Sequence, residues 1–244
     1  FTVLEDGPLT QSVSVDEASE STIGSVLWQL PCREFEGLWE SLIFDDDIKR
    51  HLLSYLLAAL ELSSRGVDST VVSINRLSLL IGPPGTGKTT LCHALAQQLS
   101  ILMSRRFPRC SFIEVNSHSL FSKWFSESGK LVGRLFEQVE EVAEDEGSLV
   151  FLLLDEAESL AASRSISSRR GEPADSIRAV NALLTQIDRL RRRPNVFILC
   201  TSNLVECLDR ALLDRADICR RLPLPSAAVF SSLFMAAFHE FARV

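Results

Sequence analysis

The stretch GPPGTGKT, at residues 82–89, constrains the fold more than any other part of the chain. Its glycines lack a Cβ atom, so the backbone can turn tightly and aim successive N–H groups at the oxygen atoms of a phosphate. The apolar run 77–81 before it predicts a buried strand, and the apolar residues after it recur at helical spacing from Thr89 onward. A glycine-rich loop between a strand and a helix is typical of a phosphate-binding P-loop, whereas a chance turn with a lysine needs neither flanking element.

The lysine and threonine that end this motif supply chemistry that backbone amides lack. Lys88 brings a positive charge to the β- and γ-phosphates, and the hydroxyl of Thr89 can ligate Mg²⁺. The helix that begins near Lys88 adds the positive end of its dipole. The predicted nucleotide contacts are the loop and the residues that follow it, namely Gly82, Pro83, Pro84, Gly85, Thr86, Gly87, Lys88, Thr89 and Thr90.

The apolar run LVFLLL ends in two acids, Asp155 and Glu156, and is the second informative motif. Asp155 can join Thr89 as a magnesium ligand, while Glu156 can orient and activate the attacking water. The alternative is a strand that ends in acids only because acids are favoured where a helix begins. The P-loop upstream favours the catalytic interpretation, so the sequence predicts binding of a nucleoside triphosphate with magnesium, followed by its hydrolysis.

Apolar strands alternate with helices through most of the chain after residue 76. Continuous apolar strands joined by helices predict a parallel sheet covered on both faces, with the nucleotide at the carboxyl ends of the strands. We therefore predict an α/β fold of three layers, with a five-stranded parallel sheet between helices. The predicted strands cover residues 77–81, 112–115, 149–154 and 196–200 and a short stretch near Leu222, and the helices cover residues 89–102, 130–144, 175–189 and 208–213.

Composition divides the chain into three parts. Residues 1–34 are mostly polar, which predicts a linker or flexible arm. Residues 35–225 carry the motifs and form the predicted nucleotide-binding unit. Residues 226–244 open a helix, with Ser226 as its N-cap, that is expected to begin a further domain. Because the first residue is Phe1 rather than methionine, the chain is expected to be a fragment.

Charge and cysteine content favour some classes of function over others. The net charge of −7 argues weakly against a dedicated nucleic-acid binder, because a whole-chain charge can hide a basic groove. The six cysteines include no CxxC pair, which indicates reduced thiols in the cytosol or nucleus rather than a zinc site or a disulfide framework. No apolar stretch is long enough to span a membrane, so no membrane partner is expected.

Four further stretches narrow the class of P-loop protein. ILCTSN places Asn203 at the end of a strand next to the P-loop strand, and LDRALLDRADICRRLPLP follows it. SHSLFSKWFSESGK follows the second strand, and AVNALLTQID lies on the helix before Asn203. This combination resembles the AAA+ ATPases over roughly residues 35–225. EFEGLWESLIFDDDIKRHLL, NSHSLFSKWFSESGKLV and DRADI further resemble the pachytene checkpoint family of AAA+ ATPases.

The resemblance implies catalytic roles for residues outside the two motifs. Asn203 is implied as the sensor residue that contacts the γ-phosphate and the water held by Glu156. Arg215 best matches the arginine finger that reaches into the site of a neighbouring subunit. The chain has LDRA where many relatives have RPGR, so Arg220 and Arg221 are alternatives for the finger.

The resemblance also implies that the nucleotide is ATP and that the chain is the large ATPase subdomain of an AAA+ protein with a truncated helical lid. The GLW stretch matches the linker to the nucleotide site, which places Leu38 near adenine. Lys123, Trp124 and Phe125 match the first pore loop, whose aromatic rings can grip an extended polypeptide, although Phe125 could instead pack in a core. Residues 163–176 are either the second pore loop or a solvated connection.

Members of this family are homohexameric ATPases that remodel HORMA-domain proteins in meiosis and in the spindle checkpoint. The resemblance therefore implies an ATP-driven protein remodeller that binds itself in a ring and acts on a HORMA-domain protein, directly or through an adaptor, in the nucleus or cytoplasm. One alternative is a nucleic-acid motor of the clamp-loader or helicase type, which usually needs a basic track that the acidic balance disfavours. The other alternative is a nucleotide-binding scaffold without turnover, because the lid is truncated.

Overall fold

The computed structural model describes residues 12–13, 23–65, 74–116, 128–158, 173–204, 208 and 210–243. In these residues the strands are β1 (Ser12–Val13), β2 (Ile23–Leu30), β3 (Leu77–Ile81), β4 (Arg109–Asn116), β5 (Ser148–Asp155), β6 (Val196–Ser202) and β7 (Ile218–Arg221). The helices are α1 (Leu38–Ser41), α2 (Ile48–Ser64), α3 (Lys88–Leu102), α4 (Ser128–Ala143), α5 (Pro173–Leu190), α6 (Arg210–Leu213) and α7 (Ala227–Arg243), with a short 3₁₀ helix at Arg33–Phe35.

The strands form one sheet in the order β1-β2-β4-β5-β6-β3-β7. All neighbours from β4 to β7 in this order are parallel, so the predicted five-stranded parallel sheet is confirmed. The P-loop strand β3 lies between β6 and β7, and β5 is buried along its whole length except at its last residue, Asp155. A parallel strand covered on both faces reads as an unbroken apolar run, which explains why β3 and β5 are visible in the sequence.

Two hydrophobic clusters, one on each face of the sheet, confirm the predicted three layers. Alternate residues of β5 separate between them, because successive side chains of a strand point to opposite faces. One cluster includes Val150, Leu152 and Leu154 together with side chains of α4 and α5. The other includes Leu149, Phe151 and Leu153 together with side chains of α2 and α3.

The prediction of a linker throughout residues 1–34 is wrong for β2. This strand pairs antiparallel with β4 and extends the sheet beyond its parallel part. Leu27 packs in one cluster, while Trp28 packs in the other, where its ring lies 5.3 Å from Phe35 and 6.0 Å from Phe112. This strand places apolar residues on both faces and is preceded by a polar stretch. Its sequence therefore shows no alternation of apolar and polar residues that would predict a strand.

Smaller differences concern the end of the chain. The last strand, expected near Leu222, ends at Arg221, and Leu222 is a buried residue whose N–H donates to the Ile81 carbonyl (2.7 Å). Helix α6 is shorter than the predicted 208–213. The N-cap of α7 is confirmed, because the Val229 N–H donates to Ser226 Oγ (3.3 Å). Within the described ranges, none of the helices is both long and apolar enough to cross a bilayer.

Candidate nucleotide-binding site

The carboxyl ends of three adjacent strands, β3, β6 and β5, meet at one edge of the sheet. Each is followed by a predicted site segment, because the P-loop follows β3, Glu156 follows β5 and Asn203 follows β6. Together they enclose a cleft of about 260 Å³. The residues that line it are Pro84, Gly85, Gly87, Lys88, Thr89, Thr90, Asp155, Glu156, Thr201 and Asn203. Of these, Thr201 is the one that the sequence analysis did not identify.

Two glycines of the P-loop occupy positions that a side chain could not. A Cβ atom on Gly82 would lie 2.1 Å from the carbonyl oxygen of Leu222, well inside a normal contact. Gly87 has φ of 83°, in the left-handed region, and is the N-cap residue of α3. The loop can therefore pass close to Leu222 and then turn directly into the helix, whose N-terminus faces the cleft.

Lys88 is almost fully buried and is held by the loop itself. Its Nζ donates to the carbonyl oxygens of Gly82 and Pro83, both at 2.8 Å. The Thr86 hydroxyl donates to the Pro83 carbonyl (2.9 Å) and so braces the same turn. Burial lowers the pKa of Lys88, while the negative charges of Glu158 and Asp155 act in the opposite direction. The ammonium group is thus held in place by two carbonyl groups of the loop.

Asp155 connects the P-loop helix to β6. Its Oδ1 accepts a hydrogen bond from the Thr89 hydroxyl (2.9 Å) and another from the Thr201 hydroxyl. Mg²⁺ prefers hydroxyl and carboxylate oxygens, and the predicted ligands Thr89 and Asp155 already stand at hydrogen-bonding distance from each other. These residues therefore fit a magnesium ion, and they are the ones that would hold it.

Glu156 lies at a sharp turn at the end of β5. Its φ is 56°, in the left-handed region, and its N–H donates to Thr201 Oγ1 (3.2 Å). The next N–H, of Ala157, donates to the Thr201 carbonyl (2.9 Å). Thr201 thus holds both Asp155, the predicted magnesium ligand, and the turn that carries Glu156. Its signal in the sequence was the polar end of ILCTSN, where only Asn203 had been identified.

Asn203 lines the cleft but its hydrogen bonds go to a residue that the sequence analysis overlooked. Asn203 Nδ2 donates to Glu158 Oε1 (2.7 Å), and the Asn203 backbone N–H donates to Glu158 Oε2 (3.2 Å). Glu158 is the last acid of the DEAE stretch, and the first two acids of that stretch were assigned roles while this one was not.

A second pocket, of about 350 Å³, adjoins the P-loop and is mostly apolar. It lies between residues 42–46, the P-loop and the beginning of α7, and the lining includes Leu42, Phe44, Gly87 and Val229. An apolar pocket next to a phosphate loop has the character expected for a nucleoside base. Leu38 packs half-buried against the hydrophobic cluster of α2 and α3, and the segment that follows it forms the wall. Its place near adenine stays a prediction.

Three hydrogen bonds hold this pocket wall in place. Lys49 Nζ donates to the carbonyl oxygens of Trp39 and Leu42, both at 2.7 Å, and therefore ties α2 to the chain that leads into the wall. Asp45 Oδ2 accepts a hydrogen bond from the Ser226 N–H (3.0 Å) and so joins the wall to the start of α7.

Arg215 forms a bidentate ion pair within its own chain. Its Nε and Nη2 donate to the two carboxylate oxygens of Asp188 at 2.9 and 2.8 Å, and Nη1 donates to the Ala211 carbonyl (2.7 Å). The alternatives Arg220 and Arg221 lie exposed on β7. The role of Arg215 as the arginine finger in the site of a neighbouring subunit stays a prediction.

The predicted first pore loop, Lys123, Trp124 and Phe125, lies outside the residues that the structure describes. Most of the predicted second pore loop, residues 163–172 of 163–176, does so as well.

Comparison with known proteins identifies the family. The model of the family described as "ATPase family associated with various cellular activities (AAA)" matches residues 78–224. The chain belongs to the AAA family. Its resemblance to the pachytene checkpoint proteins is confirmed as well. Over 240 residues, 98% of this chain, it is 50% identical to pachytene checkpoint protein 2 homolog of Gallus gallus and 49% identical to that of Homo sapiens.

Solved structures agree with this result. Caenorhabditis elegans PCH-2 is 51% identical and has a TM-score of 0.83, with 98% of this chain and 56% of that chain covered. The structure of an E. coli MS115-1 HORMA:CdnC:Trip13 complex shares the AAA fold, with a TM-score of 0.70 over 86% of this chain and 73% of that chain at 21% identity. The chain spans about half the length of the curated relatives it matches, 55% in both.

Proposed function

We propose that the protein hydrolyses ATP and uses the energy to remodel a HORMA-domain protein. The proposal of hydrolysis rests on one observation: five predicted site residues line the same cleft. They are Lys88, Thr89, Asp155, Glu156 and Asn203. Five side chains from three strand ends supply a cation, two magnesium ligands, an acid and an amide, which are the groups that phosphoryl transfer to water requires.

Each residue has a defined part in this proposal. Lys88 and the P-loop amides bind the phosphates, and bound magnesium would neutralise charge on the β- and γ-phosphates. Glu156 accepts a proton from the attacking water, and the oxygen of that water forms a bond to the γ-phosphorus. The bond between the γ-phosphorus and the bridging oxygen breaks, and ADP leaves. The apolar pocket beside Gly87 takes the base, and the preference for ATP over GTP rests on the family resemblance.

The remodelling part rests on the similarity to pachytene checkpoint proteins. In this proposal the AAA domains assemble head to tail into a homohexamer, because an arginine that acts in a neighbouring site needs such packing. Trp124 and Phe125 then line the channel and grip the substrate chain. A HORMA-domain protein, met directly or through an adaptor, is the proposed substrate, and its setting is meiotic or spindle-checkpoint control in the nucleus or cytoplasm.

The test is ATP turnover by the full-length protein, with and without a HORMA-domain protein. We expect the HORMA-domain protein to stimulate turnover, Trp124→Ala to lose the stimulation, and Glu156→Gln to lose turnover while still binding ATP. Arg50→Ala, at an exposed position on α2, is the control and should resemble the wild type.

Other outcomes would redirect the proposal. If DNA stimulates ATP turnover and Trp124→Ala does not change that stimulation, the protein is a nucleic-acid motor instead. Binding of ATP without turnover indicates a scaffold. Normal turnover by Glu156→Gln shows that Glu156 does not activate the water.

A further inference from the structure

The carboxylate of Glu158 accepts two hydrogen bonds from Asn203. One oxygen accepts the side-chain N–H of Asn203 at 2.7 Å and the other accepts its backbone N–H at 3.2 Å. Glu158 follows β5 and Asn203 follows β6, so these bonds join the ends of the two strands that carry the water-activating acid and the sensor. Hydrogen bonds to an ionised carboxylate are about twice as strong as those between neutral groups. The contact therefore holds Asn203 in one place.

This contact also decides which way the amide of Asn203 faces. An ionised carboxylate only accepts hydrogen bonds, so the atom of Asn203 that meets Glu158 must be the nitrogen. Oδ1 and the second N–H of Nδ2 are then the groups left for the cleft. Asn203 and Glu156 line that cleft, whereas Glu158 is not one of the described residues that do.

The fixed orientation suits the attacking water. A water between the Glu156 carboxylate and Asn203 Oδ1 can donate one hydrogen to each acceptor, which leaves a lone pair free for the γ-phosphorus. An unrestrained amide could turn its N–H groups toward the same water and remove one acceptor. We infer that Glu158 is a positioning residue for ATP hydrolysis, one that acts through Asn203 by fixing the direction of its side-chain amide; the inference rests on the proposed hydrolytic function.

The charge of Glu158 gives the inference a distinctive kinetic signature. Glu158 is hydrogen-bonded to Asn203, which lines the cleft together with Lys88, so its carboxylate lies beside the phosphate site. A negative charge there disfavours the arrival of an anionic nucleotide. A variant without the charge should therefore keep or improve its KM for ATP while kcat falls.

The experiment is a double-mutant cycle in the full-length protein, with steady-state ATP turnover as the readout. We expect Glu158→Ala to lower kcat about 10- to 100-fold, with KM for ATP unchanged or lower. Glu158→Gln keeps an acceptor for the Asn203 side chain but sets its own N–H group against the backbone N–H, so its loss should be smaller. In the Asn203→Ala background, Glu158→Ala should change kcat less than about twofold, because residues that act as a unit are not additive.

Controls separate this role from a structural one. Glu61→Ala removes an exposed glutamate that pairs with Arg65 on α2, and it should match the wild type. Thermal unfolding and fluorescent ADP binding show whether each variant is folded.

Three results would overturn the inference: an unchanged kcat in Glu158→Ala, a rise in KM alone, or an equal loss of kcat in the presence and absence of Asn203. If Asn203→Ala itself turns over ATP normally, the inference fails while the proposed function stands. A wild type without ATP turnover defeats both.

Discussion

Glu156 combines an unfavourable backbone conformation with a side chain that lines the cleft. An L-residue in the left-handed region carries about 1–2 kcal/mol of strain, and two hydrogen bonds from the turn to Thr201 hold it there. Strain of this kind persists where the surrounding structure fixes it and where the position of a side chain matters more than stability. The turn therefore places the carboxylate at a cost to the stability of the fold.

This strain makes a prediction about two variants that lack the Glu156 carboxylate, Glu156→Gly and Glu156→Ala. Glycine has no Cβ atom and adopts a positive φ without strain, whereas the Cβ atom of alanine crowds the backbone there. We expect the glycine variant to be more stable than the alanine variant by about 1 kcal/mol in denaturant unfolding.

The same pair of substitutions at Glu61, inside helix α2, is the control. There alanine should be the more stable by about 1 kcal/mol, because helices disfavour glycine. If Glu156→Ala is as stable as Glu156→Gly or more stable, the backbone at position 156 is not strained.

Among the elements, α1 and α2 jointly shape the pocket wall. Residues 42–46 connect them, and the ammonium group of Lys49 binds two carbonyl oxygens at the end of α1 while it lies 5.2 Å from the centre of the Trp39 ring. Because the carbonyl groups at the end of a helix lack partners within it, a lysine there satisfies them and fixes how the chain departs.

We expect Lys49→Met to weaken nucleotide binding by about 1 kcal/mol, about fivefold in Kd, because the wall of the base pocket loses its support. Turnover at saturating ATP should change much less, since Lys49 lies on the base side and not among the residues of the phosphate cleft. Titration with a fluorescent ATP analogue measures Kd.

Arg50→Met, which alters the exposed neighbour of Lys49, is the matched control. Equal affinities in the two variants would show that the Lys49 contact does not support the pocket.

A second contact between elements joins α5 to the end of α6 through Asp188 and Arg215. The hydrogen bond from Arg215 lowers the pKa of Asp188 below its ordinary value of 3.8. Since the folded pKa is the lower one, the contribution of this pair to stability is fully present above the ordinary value. It is lost as the pH falls through the folded pKa.

We expect Arg215→Ala to lower the free energy of unfolding by about 0.5–1 kcal/mol at pH 7, measured by denaturant unfolding without nucleotide. The difference from the wild type should shrink as the pH is lowered to about 3. Arg220→Ala, at the exposed position on β7, should show neither effect. A wild-type stability for Arg215→Ala would mean that the ion pair does not hold the fold.

For the molecule as a whole, the sequence predicts the features that neighbouring residues form. It does not predict contacts between residues that lie far apart in the chain. The parallel strands, the P-loop and the two acids at the end of β5 are each marked by neighbouring residues, and the structure brings the P-loop and these acids to one edge as expected. Thr201 and Glu158 act on partners about 45 positions away, and no local pattern records such bonds. Strand β2 was missed for a similar reason, since its apolar residues become a pattern only against β4.

The base pocket is built from two segments that lie far apart in the chain, residues 42–46 and the start of α7, joined by the bond between Asp45 and Ser226. A base bound in the pocket would contact both segments and would therefore link residues 42–46 to the start of α7. Moving α7 away from the P-loop would break the bond between Asp45 and Ser226 and widen the pocket, so we expect such a movement to speed the release of nucleotide.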